Sequence, residues 1–148
     1  MEVLLVKCGD YAFEYVKEIR YSVFTLEQNI AQSDDLDSYD ASPDTVYALV
    51  EDGGEYVACG RLILTPYGYK IGRVATLKKY RGRQYGSALV KALCEKAREL
   101  GAGFVNLEAQ LHAVPFYERL GFEIISDEAV YDRNIEHRKM RLTYGEKE

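Results

Sequence analysis

Residues 80–89 read Tyr80-Arg81-Gly82-Arg83-Gln84-Tyr85-Gly86-Ser87-Ala88-Leu89, and the chain changes character across them. Before this stretch, Tyr69 to Thr76 reads as a strand. After it, Leu89, Leu93, Ala97 and Leu100 recur on one helical face, Lys91, Glu95, Arg98 and Glu99 fall elsewhere, and Gly101 follows as a stop. A strand that runs through a basic, glycine-containing turn into a helix aims backbone N–H groups and the positive end of a helix dipole at one place, and such a place binds phosphate. Gly82 and Gly86 let a ligand approach the backbone closely, while Arg81 and Arg83 add charge. The turn is not a Walker loop, because the Gly-Lys-Ser/Thr ending is missing.

Working outward, Val3 to Lys7 is a short apolar strand. Asp10 is placed to cap a helix whose apolar positions Phe13, Val16, Ile19, Val23 and Leu26 repeat at helical spacing, ending near Asn29. Ser33 to Pro43 is polar, acidic and aperiodic, and reads as a loop. Thr45 to Glu51 and Tyr56 to Leu64 flank Asp52-Gly53-Gly54, a hairpin signal, and Pro66-Tyr67-Gly68 turns the chain again. Downstream, Phe104 to Ala109 is a strand, Pro115 opens a short helix closed by Gly121, and Phe122 to Ile125 with Arg138 to Leu142 form a last pair. Four strands, a long helix, a strand, a helix and two strands describe one α+β domain over residues 1–148.

With 148 residues and 47% hydrophobic content, the chain supports one good core. No apolar stretch approaches the roughly 20 residues of a membrane span, and no signal peptide is evident, so a cytoplasmic protein is expected. Cys8, Cys59 and Cys94 lack zinc-site or disulfide-scaffold spacing, which fits reduced thiols and no metal. A net charge of −5 argues against nucleic acid as a partner. Its distribution says more. Tyr21 to Gly60 contains no Lys or Arg but holds Glu27, Asp34, Asp35, Asp37, Asp40, Asp44, Glu51, Asp52 and Glu55; Lys70 to Arg83 holds six basic residues and no carboxylate. One half reads as a surface for cations, the other for anions.

The turn at 80–89 resembles the pyrophosphate-binding segment of GNAT acetyltransferases, Gln/Arg-x-x-Gly-x-Gly/Ala, with Gln84 where the family usually has glycine. Gln110-Leu111-His112-Ala113-Val114-Pro115-Phe116-Tyr117-Glu118-Arg119-Leu120-Gly121-Phe122 resembles the family's Asn-x-x-Ala-x-x-Phe-Tyr-x-x-x-Gly-Phe segment, with Gln110 replacing asparagine. Arg20-Tyr21-Ser22-Val23-Phe24-Thr25-Leu26-Glu27-Gln28 is similar to the Arg-x-x-Val-Phe-x-x-Glu-Gln signature of the bacterial ElaA/YjcF-like branch, and Asn134 to Met140 resembles that branch's Gly-Ile-Pro-His-x-x-Met ending. The resemblance implies a mixed, mostly antiparallel twisted sheet flanked by helices, splayed at a cleft that takes acetyl-CoA. Val74, Ala75, Thr76, Arg81, Gly82, Arg83, Gln84, Tyr85, Gly86, Ser87, Gln110 and Tyr117 are then the coenzyme-binding residues. A family member also commonly pairs into a homodimer.

The same resemblance implies direct attack of an amine on the thioester, with an N–H from Val74-Ala75-Thr76 stabilising the oxyanion and Tyr117 protonating the leaving thiolate. A base must take the amine's proton. Glu27 is the first candidate, and His137 and His112, the two histidines, are the others. Helical spacing groups Arg20, Phe24, Glu27 and Gln28 as an acceptor-facing cluster, although an Arg20–Glu27 support network fits the same spacing. The acidic first half points to a cationic acceptor: a polyamine, amino sugar or peptide amine. Gln84 and Gln110 keep open a catalytically silent acyl-CoA-binding regulatory module; a purely structural domain would leave both segments coincidental.

Overall fold

The computed structural model describes residues 1–145. Eight strands form one sheet, ordered β1-β2-β3-β4-β5-β8-β6, with β7 on the free side of β8. The first four, β1 (Glu2–Val6), β2 (Val46–Asp52), β3 (Glu55–Thr65) and β4 (Gly68–Thr76), pair antiparallel. Gly53 (φ 61°) and Gly54 (φ 83°) occupy left-handed backbone between Asp52 and Glu55, so the β2–β3 hairpin is the tight connection that its glycines predict. β5 (Phe104–Gln110) then runs parallel to β4 and antiparallel to β8 (Ile135–Thr143). β6 (Glu123–Ile124) and β7 (Val130–Asp132) line the other edge of β8.

The sheet is buried on both faces. Along β2, Val46, Ala48 and Val50 face one core with Leu89, Leu93, Leu107 and Phe122, while Tyr47 and Leu49 face a second with Val16, Ile19 and Val23. Helices α3 (Tyr85–Glu99) and α4 (Val114–Arg119) cover the first side; α1 (Phe13–Arg20) and its continuation cover the second. Leu89 and Leu93 are fully buried, each worth ~1.5–3 kcal/mol of transfer free energy.

Four sequence expectations need correction. Asp10 does not cap α1: its carboxylate accepts from the Lys7 N–H at 2.7 Å, and the helix begins without a side-chain cap. The helix does not stay α to Asn29 but widens into a π-helix over Tyr21–Glu27, with the Gln28 N–H bonding to Val23 O at 3.1 Å. That wider turn rotates the face, so Leu26 is exposed and Phe24 is buried in its place. The acidic segment is not a plain loop, for it holds the one-turn helix α2 (Gln32–Asp35) and a 3₁₀ turn, Ser38–Ala41, boxed by Asp37 and Asp40. Finally, β8 starts at Ile135 and is preceded by β7, the two joined through Arg133 (φ 52°) and Asn134 (φ 64°). Arginine is not the residue that such a turn advertises.

Candidate active site

Between β4 and α3 the chain makes a short 3₁₀ turn, Lys78–Tyr80, and then alternates into left-handed backbone at Gly82 (φ 82°) and Gln84 (φ 65°). The N–H groups of Gly82 to Ser87 engage no hydrogen-bond acceptor among the described residues, so consecutive amides at the start of α3 stand unpartnered. Gln84 therefore stands where the backbone does require positive φ, at a cost of ~1–2 kcal/mol for a residue with a Cβ. A cleft of about 970 Å³ opens over these amides. Of the residues that the resemblance assigns to the coenzyme, Val74, Ala75, Thr76, Arg81, Gly82, Gln84, Tyr85, Gly86, Ser87 and Tyr117 line it.

The charges at this cleft differ from expectation. Arg81 donates to both carboxylate oxygens of Glu27, each at 2.6 Å, and to Thr76 O at 3.0 Å. Its charge is matched within the protein, and it ties the end of α1 to the end of β4. Arg83 lies over the Tyr80 ring, 5.6 Å from its centre, outside the cleft lining. Lys91 and Arg119 line the cleft instead. Helical spacing puts Lys91 on the face of Ser87, and Arg119 on that of Phe116, which was the signal available in the sequence.

β4 and β5 pair through only two residue pairs, Lys70 with Asn106 and Ile71 with Leu107, and then part. A second pocket of about 120 Å³ fills the gap. Gln28, Val74, His112, Ala113 and Tyr117 line both pockets, so the two meet beside Tyr117. Gln110 lines the smaller one and donates to Gln28 Oε1 at 3.3 Å, bridging β5 to the end of the π-helix.

Tyr117 is 8% exposed, edge-on to Phe116 and Phe122, and burial pushes its phenol well above the ordinary value, so it stays protonated. His137 is buried in the smaller pocket with Nδ1 2.7 Å from Ile135 O. A carbonyl only accepts, so Nδ1 carries the hydrogen, and in the neutral ring Nε2 is the nitrogen that holds the lone pair. His112 lines both pockets. Glu27 lines the large cleft, but Arg81, by hydrogen bond and charge, holds its carboxyl below the usual range, which makes it a poor proton acceptor near neutral pH.

Arg20 does not face an acceptor, nor does it pair with Glu27. It is 1% exposed and donates to Asp35 Oδ2 at 3.0 Å, Asp35 O at 2.7 Å and both oxygens of Asp40 at 2.7 and 3.0 Å. Arg61 binds Asp37 and Asp40, and Arg73 and Arg133 bind Asp35. Asp35, Asp37 and Asp40 of the acidic stretch thus turn onto arginines, while Asp34, Asp44 and Glu55 remain exposed. Phe24 lines the smaller pocket, with the Arg133 guanidinium 4.8 Å above its ring.

Among the described residues no group of three or more His, Cys, Asp or Glu is placed to hold a metal ion, and no helix is long and apolar enough to cross a membrane. Cys8, Cys59 and Cys94 are free thiols.

A parted parallel pair, bare amides at the head of a helix and a buried phenol thus lie together around one cleft. Residues 13–122 match the acetyltransferase (GNAT) family, and the chain belongs to that family. The N-acetyltransferase YjcF of Bacillus subtilis (strain 168) is 32% identical over 122 residues, 82% of this chain and 86% of that protein. The crystal structure of Escherichia coli ElaA superposes with a TM-score of 0.83 at 27% identity, over 96% of this chain and 99% of that one. An acyl-CoA N-acyltransferase from Pseudomonas aeruginosa gives 0.83 at 25% identity, over 97% and 100%. The chain is an acyltransferase of the ElaA/YjcF-like kind, and acyl-CoA-dependent N-acetylation is the general chemistry of its family.

Proposed function

We propose that this chain transfers an acetyl group from acetyl-CoA to an amine by direct attack. The observation that carries the reading is the parting of β4 from β5, which leaves one cleft leading from the bare amides of residues 82–87 to Tyr117 and His137. The coenzyme's pyrophosphate suits those amides and the start of α3, with Lys91 and Arg119 adding charge in place of Arg81. The thioester lies beside β4, where an N–H of Val74-Ala75-Thr76 stabilises the oxyanion. The neutral amine attacks the carbonyl carbon; as the C–N bond forms and the C–S bond breaks, Tyr117 gives its proton to the departing thiolate. His137 Nε2, directly or through water, takes the proton that nitrogen releases.

Thermal unfolding with acetyl-CoA tests the coenzyme site: about a hundredfold excess over Kd adds ~2.7 kcal/mol. Coenzyme release on adding amines tests transfer. A thermal shift with no amine-dependent release over a broad amine screen favours a silent acyl-CoA-binding module, and no shift at all refutes the site.

A further inference from the structure

We infer that the acceptor is an amine that also carries an oxyanion, held by Arg73 and Arg133 in the small pocket between β4 and β5. The inference rests on the transfer reading above and names the substrate class for the same site.

The small pocket contains two arginines and a single carboxylate, Glu108, and that carboxylate is paired with Lys70. Arg73 and Arg133 are 11% and 9% exposed. Each guanidinium has five N–H donors, yet few are engaged. Among the described residues Arg133 makes one hydrogen bond, from Nη1 to Asp35 at 3.0 Å; its Nε is sealed from solvent without a partner, which leaves Nη2 and the second Nη1 hydrogen as its spare donors. Arg73 hydrogen-bonds through Nε to Asp35 O at 3.1 Å and through Nη2 to Asp37 at 3.4 Å. Asp132, 39% exposed, stands 3.7 Å from Arg73 Nη1 and 3.5 Å from Arg133 Nε without a hydrogen bond to either. Asp35, Asp37, Asp40 and Asp132 match Arg20, Arg61, Arg73 and Arg133 one for one in charge, so what Arg73 and Arg133 hold in reserve is hydrogen-bond donors rather than net charge.

Two buried guanidinium forks with free donors match a carboxylate or phosphate, both planar or tetrahedral arrays of oxygen acceptors. Burial, and then the neighbouring charges of Arg61 and Arg133, bring the Arg73 guanidinium down to about 10. Arg73 and Arg133 also both sit at φ 52°, positions where a residue without a Cβ is less strained. His137, lining the same pocket, is placed near the amine end of such an acceptor. A second ammonium, as in a polyamine, would find there only Glu108 as a lining carboxylate, and Glu108 is already paired with Lys70.

The test is coenzyme release from acetyl-CoA with matched acceptors: β-alanine against its amide and 1,3-diaminopropane, O-phosphoethanolamine against ethanolamine, and glucosamine 6-phosphate against glucosamine. Binding of each to the coenzyme A-loaded protein is measured by calorimetry. The anionic member of at least one set should exceed its partners in kcat/KM by on the order of 10- to 100-fold, from two charge-assisted contacts. The β-alanine set reports carboxylate and the other two report phosphate. In Arg133→Gln that ratio should fall toward one, and Arg133→Lys should keep part of it. Anionic preference in binding without coenzyme release sustains the oxyanion pocket and defeats transfer. Release with no anionic preference, or with the diamine favoured, overturns the oxyanion pocket while leaving transfer standing. If no anionic acceptor either binds or reacts, the inference is overturned.

Discussion

Replacing Asp40 with Asn changes one oxygen to nitrogen at the centre of the arginine network. The Asp40 carboxylate accepts from Arg20 Nη1 at 2.7 Å and Nη2 at 3.0 Å, the Tyr47 hydroxyl at 2.7 Å, Arg61 Nη1 at 3.1 Å and the Asp37 N–H at 3.0 Å. An amide keeps one acceptor oxygen and turns two N–H groups toward the remaining donors. Breaking a buried pair from one side costs ~3–5 kcal/mol, because the partner charge is left buried. In a domain this size that lowers Tm by roughly 6–20 °C. The dependence on pH has a definite sign. Burial works against the ionised form, but hydrogen bonds and charge from Arg20, the Tyr47 hydroxyl and Arg61 outweigh it and hold the carboxyl far below its usual range. The carboxylate's stabilisation is therefore complete above the unfolded pKa, ~3.9, and is lost as pH falls below it. Urea and thermal unfolding of both proteins, followed by circular dichroism from pH 8 to 3, should give a constant gap down to about pH 5 and a narrowing one below about pH 4. A gap under about 1 kcal/mol at pH 7, or one unchanged at pH 3, would refute the view that this carboxylate anchors the network.

Tyr117→Phe should cut kcat by roughly 10²–10⁴-fold while leaving the acetyl-CoA thermal shift intact, and an unchanged kcat would remove the phenol from the mechanism. His137→Asn should show a comparable loss, whereas Glu27→Gln should keep kcat within about threefold; the reverse pattern would return the base to Glu27. Gln84→Gly should raise stability by ~0.5–1 kcal/mol, since relief of left-handed strain exceeds glycine's added unfolded-state entropy. Denaturant titration checks this, and a drop in stability would mean that the Gln84 side chain anchors the turn.

What the sequence made legible was mostly local. The Gly53-Gly54 hairpin, the apolar face of α3 and the glycine-containing turn before it each depend on residues within a few positions of one another, and each lies where spacing places it. The family segments added Tyr117 and Gln110, whose positions at the parting of β4 and β5 no periodicity reveals. The arginine network was hidden because its members are far apart: Arg20 lies 15 residues from Asp35, Arg61 lies 24 from Asp37, and Arg133 lies 98 from Asp35. Read along the chain, the acidic and basic runs look like two opposed surfaces; folded, they interlock. The Glu27–Arg81 pair, 54 residues apart, escaped for the same reason. The π-helix has no signature in residue type at all, since its Val23–Gln28 bond depends on how the end of α1 meets the rest of the fold.

The two-residue ladder between β4 and β5 also has a mechanical meaning. It is the narrow waist of the sheet, with β1 to β4 on one side and β5 to β8 on the other. On the proposed reading, the coenzyme's extended pantetheine arm would lie in the gap like a missing strand, so the substrate would be part of the weave that joins the halves. Cooperativity then becomes a property of the complex: amide hydrogen exchange in β5 and β8 should slow on coenzyme loading more than in β1 and β2. Resistance to proteolysis would accordingly track how well supplied with acyl donor the protein is.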